Sequence, residues 1–210
     1  MHLSLIRLDP RSRRAITEAG RPYELHRSLL SAFPGRESGG PGHVLFRLDT
    51  DEETGGMSVL VQSEKQPDWA RANGAAGFIA EHKTRPFDPE FVQGQMLRFR
   101  LRANPTRRIR DSGKRQGVLG EPAQVDWLRR KGLQSGFEVI DATVIKEGFA
   151  EDKMTDTNDR KHSLTILSVR FDGLLRVIDP DAFRQTIEQG MGSAKGFGFG
   201  LLSIAPLRET

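Results

Sequence analysis

Met96-Leu97-Arg98-Phe99-Arg100-Leu101-Arg102-Ala103 alternates apolar and basic residues without a break. A period of two predicts a strand with Leu97, Phe99 and Leu101 on one face and Arg98, Arg100 and Arg102 on the other, so that a core-facing side backs a basic rail. Working downstream, an arginine-rich polar loop leads to a helix over 122–131 with Val125, Trp127 and Leu128 available for burial. Strands over 137–145 and 164–178 follow, separated by a charged loop over 146–162. A helix over 181–189 is opened by Asp179-Pro180 and stopped by Gly190, and a last strand covers 199–204. The order is β-α-β-β-α-β.

Upstream of Met96 the same order occurs once before. Leu3-Ser4-Leu5-Ile6-Arg7-Leu8 predicts a half-buried strand ended by Asp9-Pro10. Leu25, Leu29 and Leu30 recur at helical spacing over 22–33, with Pro22 suited to a first turn and Pro34-Gly35 as the stop. Beyond a Gly/Ser/Pro loop over 35–42, strands over 43–48 and 57–62 flank an acidic turn over 49–56 and predict a hairpin. A short helical turn over 67–72 and a strand over 77–83 complete the set. Two βαββαβ halves divided over 86–94 predict an α+β chain of two tandem ferredoxin-like (RRM-like) domains, 1–88 and 94–210. A chain of 210 residues is long enough for each to bury a core.

Composition removes whole classes of function. With no cysteine there is no disulfide scaffold, thiol nucleophile, iron–sulfur cluster or Cys-based zinc site. No apolar run approaches the roughly 18 residues of a membrane span, and Met1-His2-Leu3-Ser4-Leu5-Ile6-Arg7 is charged too early for a signal peptide, so a cytoplasmic protein without membrane contact is expected. The net charge of +4 is unevenly spread. Eight basic residues, Arg98, Arg100, Arg102, Arg107, Arg108, Arg110, Lys114 and Arg115, face one acid, Asp111, giving a local +7 while the remainder of the chain sums to −3. A solvated face is the bland explanation. Seven arginines to one lysine favour a polyanion instead, because guanidinium forks match phosphate oxygens and stack on bases.

Five glycines crowd Gly190-Met191-Gly192-Ser193-Ala194-Lys195-Gly196-Phe197-Gly198-Phe199-Gly200. A dinucleotide fingerprint fails because Lys195 occupies the third glycine position, and no Gly-Lys-Ser/Thr phosphate loop is present. Lys195-Gly196-Phe197-Gly198-Phe199 matches the start of an RNA-recognition consensus, but that motif needs a further helix and strand, which the ten residues after Gly200 cannot hold. The segment is therefore expected to be a flexible loop with exposed amides and one lysine, able to approach a phosphate backbone closely.

Among candidates for chemistry, His2, His43 and His82 fall in or beside strands, where structural roles are ordinary, and no His-x-x-x-His pair exists. The pairs Asp49/Asp51 and Asp179/Asp181 fall at a turn and a helix start, common homes for aspartate, so neither a metal nor another cofactor is expected. Tyr23 and His26 differ. Three residues apart in one helix, they project from the same face about 5 to 6 Å apart at Cβ, and Arg21 and Arg27 make the surroundings positive. An imidazole titrating near neutrality can remove a proton from a ribose 2′-hydroxyl or protonate a leaving 5′-oxygen without a metal.

The blocks Tyr23-Glu24-Leu25-His26-Arg27-Ser28-Leu29-Leu30, Val59-Leu60-Val61-Gln62-Ser63, Phe99-Arg100-Leu101-Arg102-Ala103-Asn104-Pro105-Thr106, Trp127-Leu128-Arg129-Arg130-Lys131-Gly132, and Gly190 to Lys195 continuing into Gly200-Leu201-Leu202-Ser203-Ile204-Ala205-Pro206-Leu207, taken in order, resemble the CasE family. These are the CRISPR RNA-processing endoribonucleases of the type I-E Cascade complex, within the RAMP superfamily. The resemblance implies tandem ferredoxin-like domains and metal-independent cleavage of precursor CRISPR RNA at the 3′ base of the repeat hairpin, leaving a 2′,3′-cyclic phosphate and a 5′-hydroxyl. It assigns catalysis to His26 and Tyr23, with a supporting cation from the charged loop, Lys161, whose rivals are Arg160 and His162. RNA contacts are then expected from Arg27, Arg98, Arg100, Arg102, Arg107, Arg108, Arg110, Lys114, Arg115, Arg160 and Lys195, with the other Cascade subunits as protein partners. A non-catalytic RNA-binding RAMP scaffold would share everything except the roles of Tyr23 and His26. A small-molecule enzyme of the same fold would leave the +7 stretch without a purpose.

Overall fold

The computed structural model describes residues 1–74, 77–109, 113–155 and 161–207. They form two compact units. The first comprises Met1–Asp88 with Glu151–Leu164 and Lys195–Gly198, the second Pro89–Ala150, Thr165–Ala194 and Phe199–Thr210.

In the first unit, β1 (His2–Leu8) is followed by α1 (Arg13–Ala19) and α2 (Pro22–Leu30), the hairpin β2 (Val44–Thr50) and β3 (Met57–Ser63), α3 (Trp69–Asn73) and β4 (Ile79–Pro86). The sheet order is β2-β3-β1-β4, antiparallel throughout, with Leu5 opposite both Leu60 and Lys83. Because alternate residues face alternate sides, Ile6 and Leu8 enter the core with Val59, Val61 and Phe46, and Leu25 and Leu29 of α2 cover them. Trp69 buries its indole there and donates Nε1–H to the Ser4 hydroxyl at 3.2 Å and the Thr84 hydroxyl at 3.1 Å. Helix α1 departs from the sequence expectation, which had no element there. Its start is capped by Ser12, whose hydroxyl accepts from Ala15 N–H, and with Ala15 its one buried residue it offers no apolar stripe to read.

The second unit repeats the plan. β5 (Met96–Ala103) is followed by a small hairpin, β6 (Thr106–Arg108) and β7 (Arg115–Gly117), then α4 (Glu121–Gln134), β8 (Phe137–Thr155), β9 (Lys161–Val177), α5 (Pro180–Gln189) and β10 (Leu202–Pro206). Its sheet order is β10-β5-β9-β8. In each sheet the first strand of the repeat lies between the third and the fourth, which is the ferredoxin-like arrangement, so the α+β tandem fold expected from the sequence is the fold observed. Leu97, Phe99, Leu101 and Ala103 are buried, as the alternation requires. Phe137 and Phe183 meet edge to face at 5.7 Å, and Trp127 lies on Phe171 at 6.2 Å.

Two expectations are corrected here. The charged loop over 146–162 is largely strand, since β8 runs on to Thr155 and β9 begins at Lys161. A strand ladder is made by backbone groups, so polar side chains on a ribbon do not prevent it. The arginine-rich loop after β5 likewise contains the β6/β7 hairpin, with Arg107 opposite Gln116.

Gly136 closes the step from α4 to β8 with φ +79°, and a Cβ there would lie 2.5 Å from both Asp179 O and Phe183 N. Replacing Gly136 by Ala should therefore lower unfolding stability by about 2–3 kcal/mol in urea titration; an unchanged midpoint would show that the backbone there yields.

Candidate functional site

Helix α2 brings Tyr23 and His26 to one face, one turn apart, while Leu25 and Leu29 anchor the opposite side in the core. The His26 imidazole lies parallel to the Phe46 ring of β2, centroids 5.6 Å apart and planes 9° apart. Its other neighbour comes from a distant part of the chain. The glycine-rich segment forms a 3₁₀ turn, Lys195–Phe197, packed against α2 and β2. A Cβ on Gly196 would sit 3.4 Å from Nδ1 and Cε1 of His26, and Phe197 approaches Tyr23 with ring centroids 6.2 Å apart. Gly198, at φ +82°, is pressed so closely on Phe46 that a Cβ would lie 3.1 Å from its ring. The expected exposed loop is thus replaced by a packed turn, with Gly192 its one exposed residue and Gly198 to Gly200 buried.

Burial pushes the His26 imidazole below its ordinary pKa, which leaves it neutral at neutral pH and able to accept a proton. Burial likewise lowers the ammonium of Lys195. His43, which carries no motif signal, belongs to the same surroundings: burial first and the Lys195 charge second lower it, against an opposing pull from Glu64. Arg27 forms an exposed ion pair with Glu24 at 3.2 Å. Arg110 and Arg160 lie outside the described residues, and so do the side chains of Lys161 and His162, whose backbone opens β9.

A basic cavity of about 610 Å³ lies in the second unit. Thr106, Arg107 and Arg108 of β6 and Arg115 of β7 line it from the hairpin, Trp127, Arg130 and Lys131 from α4, and Asn104, Gly192 and Ser193 complete the wall. Buried Gln124 ties hairpin to helix by donating Nε2–H to Val118 O at 3.0 Å, and Val118 N–H donates in turn to Pro105 O. Arg130 and Lys131 were not among the expected contacts. The usable signal was the basic triplet Arg129-Arg130-Lys131 near a helix end, one turn beyond Trp127. Lys114 sits in the turn of the same hairpin, where its carbonyl accepts from Ile109 N–H.

The rail on β5 is engaged within its own sheet. Arg100 grips Asp172 through two bonds of 2.7 and 2.9 Å, and Arg102 grips Glu147 through two of 2.6 Å. Arg98, more exposed, reaches Pro206 O at 3.4 Å. A phosphate approaching Arg100 or Arg102 would meet a guanidinium already engaged by a carboxylate. Among the described residues no group of three or more His, Asp or Glu is gathered closely enough to hold a metal ion, and no helix is long and apolar enough to cross a membrane.

A family model described as CRISPR associated protein matches residues 1–206. Over 213 residues the chain is 34% identical to the CRISPR-associated endoribonuclease Cse3 of Thermus thermophilus, covering 98% of this chain and 100% of that protein. It is 34% identical over 196 residues to the CRISPR system Cascade subunit CasE of Escherichia coli, covering 88% and 92%. The structure of Thermus thermophilus Cse3 bound to an RNA representing a pre-cleavage complex superposes with a TM-score of 0.83 at 32% identity, covering 98% of both chains.

Burial alone would raise the pKa of Glu147, but hydrogen bonds from Arg102 and Ser168 and the charges of Arg102 and Arg170 outweigh it and hold the carboxyl below its usual range. A folded pKa below the unfolded one means that this stabilisation is present above the ordinary glutamate range and is lost as pH falls through the folded value. Glu147→Gln should flatten the acid limb of the stability profile. Arg102→Ala, which strips a half-buried carboxylate of its fork, should cost about 1–3 kcal/mol at neutral pH in the same unfolding measurement.

Proposed function

Since the chain belongs to the CasE family of CRISPR-associated proteins, we propose that it is a metal-independent endoribonuclease that cuts precursor CRISPR RNA at the 3′ base of each repeat hairpin. The observation that carries this reading is the His26 imidazole, half-buried and parallel to Phe46 one helical turn from Tyr23, where burial lowers its pKa. In the reaction the 2′-oxygen attacks the adjacent phosphorus, its proton passes to a base, and the bond to the 5′-oxygen breaks as that oxygen takes a proton. The products are a 2′,3′-cyclic phosphate and a 5′-hydroxyl. A neutral imidazole can take the first proton, and the imidazolium so formed can supply the second. Tyr23 and Lys161 are assigned to the charge that builds on the phosphate oxygens, a role otherwise open to a metal. Lys195, next to the glycine that lies on His26, is a further cation for the RNA backbone.

The basic cavity suits a duplex stem. A-form RNA is read mainly through backbone shape, and arginines from a hairpin and a helix can bracket phosphates on two strands. Arg107, Arg108, Arg115, Arg130 and Lys131 are assigned to that contact, with Lys114 beside them. The pairing of Arg100 and Arg102 with acids gives those two a share in holding the sheet. The protein would act with the other Cascade subunits, in the cytoplasm where the transcript is made.

His26→Ala should reduce single-turnover cleavage of a labelled repeat hairpin by about 10²–10⁴-fold while hairpin affinity in a filter-binding assay stays nearly unchanged. Wild-type cleavage should persist in excess EDTA. Cutting by the His26 variant at the wild-type rate would overturn the catalytic assignment and leave an RNA-binding scaffold. Arg115→Ala should weaken binding and lower the log–log salt slope by about one.

A further inference from the structure

His26 is fixed by two contacts that no catalytic role yet covers. Its imidazole lies nearly parallel to the Phe46 ring in an offset arrangement, with centroids 5.6 Å apart. Its Nδ1–Cε1 edge lies against Gly196, whose Cβ position is 3.4 Å from both atoms, whereas Nε2 is more than 4 Å from that position. Phe46 is itself closely packed. It is 1% exposed within the core cluster that contains Val59 and Val61, and it pairs with Val61 across the β2–β3 ladder. Gly198 approaches the Cδ2–Cε2–Cζ edge of the Phe46 ring, where a Cβ would lie 3.1 Å away, closer than an ordinary contact. The left-handed backbone at Gly198, φ +82°, is one that glycine adopts without strain. Core, phenyl ring, imidazole and glycine turn therefore pack together within the first unit.

We propose that Phe46 is a positioning residue for RNA cleavage: wedged between the core and Gly198, its ring sets the plane of the His26 imidazole, excludes water from one face of it, and leaves Nε2 as the nitrogen presented to the RNA. The proposal rests on the reading of His26 as the proton-transfer group. Its physical content is twofold. A reacting group must be held close to its productive geometry, and misplacement by about 1 Å can cost on the order of 10²-fold in rate. A phenyl face also cannot hydrate an imidazolium as water does, so the stack favours the neutral ring, in line with the lowered pKa of His26. A phenyl face attracts a cation through its quadrupole as well, which would act in the opposite direction. The sign of the change on removing the ring therefore decides which effect governs.

The test uses the full chain and a labelled repeat hairpin. Phe46→Met keeps apolar bulk without a flat ring, and Gly198→Ala crowds the ring at one edge without altering its chemistry. In either variant the single-turnover rate at saturating RNA should fall by about 10–100-fold with hairpin affinity nearly unchanged. The His26 titration followed by NMR, and with it the histidine-dependent limb of the pH–rate profile, should move upward in Phe46→Met. Should Phe46→Met fail to fold, Gly198→Ala carries the rate test alone. Wild-type rates in a folded variant at every pH, or a downward shift of the His26 titration, would overturn the proposal. A His26→Ala variant that still cleaves would reject the underlying catalytic reading instead; a dead His26→Ala beside fully active Phe46 and Gly198 variants would reject only the positioning role.

Discussion

A backbone with no side chain can lie directly on an aromatic ring, and the site depends on that. The positions a Cβ would take at Gly196 and Gly198 lie 3.4 Å from the His26 imidazole and 3.1 Å from the Phe46 ring, so a turn from late in the sequence becomes part of the wall around His26. A Cβ at Gly198 would crowd the Phe46 ring, and one at Gly196 would come up against the imidazole edge. Helix α2 supplies the spacing of Tyr23 and His26, but a helix surface alone would leave the imidazole free to rotate and hydrated on both faces. The neutrality of His26 thus comes from packing contributed by three separate segments: α2, β2 and the glycine turn.

Charge follows the same logic of local pairing. The +7 stretch divides into groups with different employment. On β5, Arg100 is matched by Asp172 of the adjacent strand β9 and Arg102 by Glu147 of β8, one strand further along the sheet, and the short bidentate bonds tie the three strands together. Past Ala103 the β6/β7 hairpin carries Arg107, Arg108 and Arg115 to the cavity wall opposite Arg130 and Lys131 of α4. Net charge measures neither group. What matters for an anionic partner is how many cations face a shared space without an acid of their own beside them.

The repeated βαββαβ order was legible because it is written in strong local signals: the unbroken alternation of Met96–Ala103, the leucine spacing of α2, and the Pro and Gly residues that bound α4 and α5. The Tyr23/His26 pair was legible for the same reason, since three residues on a helix fix a shared face. Helix α1 was not, because seven residues with a single buried alanine carry no amphipathic stripe. The strand ends over 146–155 were hidden by their charge, as a ladder can extend wherever backbone groups find partners. Neither the carboxylates opposite Arg100 and Arg102 nor the approach of Gly196 to His26 could be read, because each joins residues far apart in sequence. Contiguous ranges such as 1–88 likewise cannot reveal that four residues near position 196 pack with the first unit.

That last contact has a consequence for timing. A ribosome makes His26 long before Gly196, and at roughly 5–20 residues per second the gap is about ten to thirty seconds. The first sheet and its helices have their own core and can form during that interval. The imidazole in such a nascent chain would be wet on one edge and without the glycine wall beside it. The wall around His26 is therefore complete only after the glycine turn has been made and has packed onto the first unit.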